Sequence, residues 1–520
     1  MTRSFQSPGR SAVYSTRAMI ATSHPTASVI GLETLRRGGS AVDAALAAVA
    51  TLCVVEPAMT GIGGDCFAIV ARPGDPPIAI NGSGRAPAGV DLAAVIDSGL
   101  AAITDHSPLA VTVPGAVAAW LRLHADHGRL PLADVLEPAA AIAEAGYPIT
   151  PRVAWDWSHC VGRLSRNPAA TARFVRDGGP WREGEIHRQP ELAATLRGVG
   201  RRGRAGFYEG AVAEDMVRTL RAEGGVHCLD DFAAQTADYV EPIRAGFGGH
   251  DILEHPPNGQ GATALLMLKA IEDWPEWRAA GAAERAHLFI GLMRKAYLLR
   301  NSAITDPDFM RVPLEDFLGD PAVDYVRSPG DAAGVSPWET DTTCLSVVDA
   351  DGMAVSFINS LFLPFGSTIL AARSGVMFHC RGTSFSLDPT HANALAPRKR
   401  PMHTIIPGLV MQAGRAVMPF GVMGGDYQST GHAHLLVRLL EEGMDLQAAI
   451  DAPRFFATAS SVQVEEGFDP AIAAALTARG HILRPPPAPL GGAQAVWIDH
   501  ARGVLIGGSD PRKDGCALGY

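Results

Sequence analysis

Apolar residues recur at helical spacing from Ala27 to Arg37 and stop at Gly38-Gly39, a pair suited to a helix C-cap. Val42 to Val55 continues the pattern with alanine at many positions and predicts a second helix, buried all round. The period then shortens, and Cys66 to Ala71 with Ile78 to Ile80 reads as a pair of strands. From about Leu130 to Arg221 the helical period returns, most clearly in the amphipathic stretch Leu132 to Ala145. Beyond Thr342 the chain turns to short apolar runs separated by glycines. Leu345 to Val348 and Met353 to Ser360 flank Asp349-Ala-Asp-Gly352, a hairpin signal. No low-complexity tract or repeat interrupts this order, which is that of an α+β protein.

Composition narrows the functions open to such a chain. A net charge of −10 and the lack of a Lys/Arg-dense stretch exclude nucleic acid as a partner. The longest apolar run, Ala44 to Val55, lies between Asp43 and Glu56 and is too short to span a bilayer, so no membrane partner is expected. Residues Met1 to Arg10 lack the apolar core of a secretory signal. Seven cysteines (Cys53, Cys66, Cys160, Cys228, Cys344, Cys380 and Cys516) form no CxxC pair and leave an odd one. Both facts point to a reducing cytoplasm with buried thiols.

Thr342 carries the chemistry. It stands in Glu339-Thr-Asp-Thr-Thr-Cys-Leu-Ser-Val-Val-Asp349, where a strand opens after the turn-rich segment Arg327 to Pro337, an exposed and cleavable loop by composition. If the chain is cut between Asp341 and Thr342, one residue supplies both a hydroxyl nucleophile and an α-amino base. That amine has an unperturbed pKa of about 7.7 to 8.0, close to neutrality. Such a residue predicts an amide-cleaving enzyme. Amide hydrolysis also needs rigid donors for the developing oxyanion, and Met423-Gly-Gly-Asp-Tyr427 offers them at Gly424 and Gly425. A Thr-Thr pair or a Gly-Gly alone would read as ordinary strand and turn.

Other segments tie these together. Arg37-Gly-Gly-Ser-Ala-Val-Asp-Ala-Ala45, Gly61-Ile-Gly-Gly-Asp-Cys-Phe67, Val113-Pro-Gly-Ala116, Gly206-Phe-Tyr-Glu-Gly210 and His255-Pro-Pro-Asn-Gly-Gln-Gly261 precede the Thr-Thr motif. Lys399-Arg-Pro401, Gly424-Gly425, Ala452-Pro-Arg-Phe455 and Gly507-Gly-Ser-Asp-Pro-Arg512 follow it. In this order, from about Ala18 to Tyr520, the chain resembles the γ-glutamyltranspeptidase family. The resemblance implies an N-terminal-nucleophile hydrolase fold, two stacked antiparallel sheets covered by helices on both sides. It also implies a proenzyme that cleaves itself into a large fragment, residues 1–341, and a small one, residues 342–520, within one intertwined unit. Gly424 and Gly425 fall on the family's oxyanion-hole glycines. Ser360 falls on the hydroxyl residue that bonds the freed amine.

Substrate positions depart from that pattern. The arginine that grips the γ-glutamyl carboxylate is replaced by Ser83, with Arg85 two residues on. The acidic residue that holds the ammonium is replaced by Ser384, and the paired serines by His403 and Thr404. Phe362 stands for an asparagine, Cys344 for a histidine, and Arg381 for a neutral residue. The catalytic parts are kept while the grip on the amino-acid head is not. The expected substrate is therefore a small-molecule amide whose acyl part is acidic and lacks the ammonium, as for relatives that resemble oxamate amidohydrolases or glutaryl and cephalosporin acylases. Arg381 is the preferred anion contact, with Arg85 and His403 as further positive charge. A γ-glutamyl hydrolase or transferase with rebuilt clamps and an uncut, non-catalytic binding protein are the alternatives. His432-Ala-His434 lacks a third ligand at a recognisable spacing, so neither metal nor cofactor is expected. The oligomeric state stays open, a homo-oligomer included.

Overall fold

The computed structural model describes residues 9–330 and 342–520. Asp341 and most of the expected cleavage loop lie outside the described residues. Two seven-stranded antiparallel sheets dominate. One runs in the order Cys516–Gly519, Met19–Thr22, Thr343–Val348, Ala354–Ser360, Asp65–Ala71, Ile78–Gly82 and Asp238–Val240. The other runs Val13–Ser15, Val504–Ser509, Gly492–Asp499, Arg415–Met423, Gly408–Gln412, His250–Glu254 and Ile243–Phe247. Strands from either side of residue 342 interleave in both sheets.

Strand alternation builds the layers. Met19, Ala21, Ile69 and Val348 of the first sheet meet Leu253, Leu409 and Val496 of the second in a core between the sheets. Their neighbours Ile20, Val347 and Phe357 point the other way, into a helical layer that includes Ala41–Val55, Leu132–Ala145 and Pro190–Arg202. On the far side, Val410, Phe420 and Ala495 pack against helices Gly261–Glu272, Ala282–Ala303 and Tyr427–Leu436. The result is the helix, sheet, sheet, helix order that the resemblance implied.

The elements expected from periodicity are present with small shifts. The first helix runs Pro25–Arg36, with the His24 side chain accepting the Thr26 N–H and Gly38 at φ 88° beyond its end. The second runs Ala41–Val55 with every residue buried, and among the described residues no helix is long and apolar enough to cross a membrane. Leu132–Ala145 forms over the residues that periodicity marks, between Pro131 and Gly146. All seven cysteines are free thiols, but Cys228 and Cys516 are only half-buried.

Asp43 shows how one buried carboxylate can fix several segments. Its Oδ2 accepts the Ser40 N–H at 2.9 Å, closing a capping box, and the N–H groups of Arg129 and Leu130 at 2.8 and 3.2 Å. Asp43→Ala leaves three donors in a closed site without an acceptor and should cost about 2 to 4 kcal/mol. The melting temperature of the variant against wild type checks this, and an unchanged value would contradict it.

Candidate active site

Register places Thr342. Thr343 pairs with Asn359, so Thr342 stands opposite Ser360, and their hydroxyl oxygens lie 2.9 Å apart. By alternation Leu345 and Val347 face the helices, while Thr342 shares a face with Cys344 and Ser346. Those two side chains reach across to the carbonyls of Gly421 and Gln494 at 3.4 and 3.0 Å, so this face looks onto the second sheet. Ser360 Oγ also accepts the Phe362 N–H at 2.9 Å, which fixes it against the turn that follows. Thr343 donates to the Asn359 carbonyl at 3.2 Å and holds the strand end in register.

The glycine pair ends a strand of that second sheet, Arg415–Met423, and leads into helix Tyr427–Leu436. Gly424 and Gly425 take φ of 121° and 56°, which side-chain-bearing residues rarely adopt. A Cβ on Gly424 would meet the Gly491 Cα at 2.8 Å. The carbonyl of Gly424 accepts the Tyr427 N–H at 3.0 Å, and that of Gly425 accepts Gln260 Nε2 at 2.9 Å and the Gln428 N–H at 3.2 Å. A trans peptide directs its N–H opposite its carbonyl, so the Gly425 N–H faces away from the helix. Neither glycine N–H has an acceptor among the described residues.

Arg381, Ser384 and Thr404 come together beside this turn. The Arg381 side chain is buried and donates to Ser384 Oγ at 3.1 Å and Thr404 Oγ1 at 2.8 Å. Its guanidinium carbon lies 3.4 Å from the Phe362 ring centroid, and its Nε has no partner. Among the described residues no carboxylate lies within ion-pair distance of it. Burial lowers its pKa to about 9, which leaves it a cation at neutral pH. Phe362, Ser384 and Thr404, which contact the guanidinium, line a cavity of about 260 Å³ together with Asp426, while Arg381 itself is not part of the wall. The path from Thr342 is short: Ser360, then Phe362, then Arg381.

Arg85 and His403 do not supply the positive charge expected of them. Arg85 is turned to Asp306 Oδ2 at 3.3 Å, the Arg398 carbonyl at 3.0 Å and Asp238 at 4.0 Å, so its charge is already committed. His403 Nδ1 accepts the Ile405 N–H at 3.3 Å, which places the proton on Nε2, donated to Asp65 at 3.1 Å. Burial and the field of Arg381 pull its pKa to about 3, so the ring is neutral. Burial pushes the Asp65 carboxyl up, but His379, His403 and the Gly84 N–H outweigh it and hold it below the usual range. Ser83, at the family's arginine position, is buried and spends its hydroxyl on Asn81 Oδ1 at 2.7 Å.

Two functional positions escaped the reading of the sequence. Gln260 ties the glycine turn to the Thr404 carbonyl at 2.7 Å and accepts Arg300 at 2.6 Å. Asp426 pairs with the same Arg300 at 2.6 Å and lines the cavity. Both stand inside matched motifs, and that was the available signal. His432 bonds Glu254 at 2.6 Å and His434 bonds Tyr427 at 3.1 Å, so the two rings serve separate partners. No cluster of three or more metal-ligating side chains occurs among the described residues.

Comparison with known proteins agrees with this architecture. The family described as Gamma-glutamyltranspeptidase matches residues 27–520. The chain is 35% identical to the Glutathione hydrolase-like YwrD proenzyme of Bacillus subtilis, covering 98% of this chain and 99% of that protein. It is also 35% identical to the Oxamate amidohydrolase proenzyme of Klebsiella pneumoniae, covering 97% and 99%. The crystal structure of cephalosporin acylase from Bacillus halodurans superposes with a TM-score of 0.93 at 36% identity, over 100% of this chain and 99% of that one.

Buried neutral histidines make the fold acid-sensitive. Burial is the main cause at His24, His187, His227 and His255, each near 4, and at His403 near 3. Native rings stay neutral while the unfolded chain takes up protons below about pH 6.5, so stability is full above that value and falls as pH drops. The loss is about 2 kcal/mol per ring at pH 5. The melting temperature should fall steeply from pH 7 to pH 5, and a flat profile would mean that the rings are charged in the fold.

Proposed function

The chain belongs to the γ-glutamyltranspeptidase family and is an N-terminal-nucleophile amidohydrolase, and on that premise we propose that it hydrolyses amides of a small acidic acyl group through Thr342. Maturation breaks the peptide between Asp341 and Thr342, leaving fragments 1–341 and 342–520. The freed α-amino group takes the Thr342 hydroxyl proton as the oxygen attacks the substrate carbonyl. Negative charge on that carbonyl oxygen is met by the N–H groups of Gly424 and Gly425. Collapse breaks the C–N bond, the amine leaves with the proton, and water then releases the acid from the ester on Thr342. Ser360, 2.9 Å from the nucleophile, orients it throughout.

The observation that carries the substrate class is the buried, carboxylate-free guanidinium of Arg381. A buried cation without a counter-ion is costly, and an acidic acyl group would supply the missing charge between the hydroxyls of Ser384 and Thr404. A γ-glutamyl head would bring an ammonium to the same cavity. There the carboxylate available, Asp426, is already paired with Arg300. That balance favours acids without the ammonium, in keeping with a relative named for oxamate.

Intact mass under denaturing conditions tests the nucleophile. Wild type should give two fragments meeting at Asp341 and Thr342, and Thr342→Ala one uncut chain; a wild type that stays whole on long incubation would remove the catalytic reading. Arg381→Gln should raise KM for glutaryl amides at least about tenfold with kcat changed far less. An unchanged KM would remove Arg381 as the acid contact.

A further inference from the structure

An amide that reaches Thr342 has an acyl side and an amine side, and the fold gives them unequal room. The cavity walled by Phe362, Ser384 and Thr404 holds about 260 Å³, while a second cavity of about 860 Å³ adjoins it. Asp426 lines both. The boundary also runs through the segment after Ser360, because Phe362 lines the small cavity and Leu363 the large one. Gly424 forms part of the large cavity's wall, so a carbonyl held at the glycine turn has its acyl group on one side of this boundary and its amine on the other.

The walls of the large cavity are mainly apolar. Leu363, Phe456, Pro489, Leu490 and Trp155 are among its lining residues. Trp155 is 38% exposed; its ring is tilted at 43° to that of His159, centroids 4.2 Å apart, and the Arg152 guanidinium carbon lies 4.9 Å from its centroid. The exposed part of this indole adds apolar area to a concave wall, where a planar apolar group can pack. The three arginines beside it are each paired, but Arg163 and Arg166 share Asp105, which leaves one positive charge in excess. Arg152 pairs with Asp156 at 2.8 Å, and Arg163 pairs with Asp105 and donates to the Pro364 carbonyl at 3.2 Å. That excess disfavours a cationic leaving group, and the carboxylates present are already paired.

We infer that this cleft receives the leaving amine and selects a bulky, uncharged aromatic one. The inference rests on the proposed reading of Thr342 and the glycine turn, and it adds the leaving group. Released ammonia or glycine would leave Trp155 and the prolines wet, whereas an indole or naphthyl amine would cover them.

The test is a grid of two acyl groups against three amines of similar basicity. Glutaryl and γ-glutamyl derivatives of glycinamide, phenylalaninamide and tryptophanamide are compared by kcat/KM on the purified enzyme. Tryptophanamide should exceed glycinamide at least about tenfold in the glutaryl series, mainly through KM. In Trp155→Ala, whose exposed ring is not part of the core, that ratio should fall toward one. Equal rates for the three amines, a preference for glycinamide, or a ratio unmoved by Trp155→Ala would overturn the cleft assignment. A γ-glutamyl series faster than the glutaryl series would instead overturn the acid-specific reading while leaving the amine ratio to be read within it. Absence of turnover throughout would overturn both.

Discussion

The pairing of Thr343–Val348 with Ala354–Ser360 is the constraint on which the site depends. Because side chains alternate along a strand, one residue of slip would turn Thr342 from the second sheet into the helical layer. Both faces hold the register. Leu345 and Val347 are locked among the helices, and Ser346 and Ser356 bond carbonyls of the facing sheet at 3.0 and 2.6 Å. Asn359, opposite Thr343, adds a polar anchor by donating to Thr60 Oγ1 at 2.8 Å and accepting Trp120 Nε1 at 3.2 Å. The pair Thr342 and Ser360 is therefore positioned by residues that perform no chemistry. The glycine turn follows Arg415–Met423, a central strand of the sheet onto which Thr342 faces.

Around the candidate site the buried anions are satisfied, while one buried cation lacks a carboxylate partner among the described residues. Asp65 is satisfied by the Gly84 and Gly115 N–H groups and by His403, and Asp426 by Arg300. His379 Nδ1 accepts the backbone N–H of Arg381 at 3.1 Å, so that nitrogen carries no proton. Arg381 is left with two hydroxyls and an aromatic face, partners that hold a guanidinium in place without neutralising it. A site arranged in this way keeps its affinity for an external carboxylate.

Local features were legible in the chain. Leu132 to Ala145 is bounded by Pro131 and Gly146, and the central hairpin by Asp349-Ala-Asp-Gly352, so neighbouring residues carry the information. Gly424 and Gly425 were legible for the same reason, since their backbone angles are a local demand. Charge state was not. His403 looks like a candidate cation until Asp65, 338 positions away, orients its ring and burial denies it a proton. Arg85 looks free until Asp306 and Asp238 arrive from distant segments. Gln260 has no reason to be singled out until the Gly425 carbonyl is seen to need a donor. In each case the deciding partner is remote in sequence.

The two cavities divide specificity in a way that single-residue comparison does not reveal. In the proposed reading, recognition of the acyl group rests on one buried charge and a few hydrogen bonds, and such contacts discriminate sharply because a wrong group leaves them unsatisfied. Recognition of the amine rests on apolar area, which discriminates weakly and additively. Phe362 and Leu363, adjacent in the chain, serve opposite sides of this division, and Phe362 reaches its side through a backbone at φ 77°. A change in the turn after Ser360 therefore moves both cavities together. On the proposed reading, that coupling gives a physical route to altered specificity: the strand that begins at Thr343 stays fixed while the turn after Ser360 redistributes space between acid and amine.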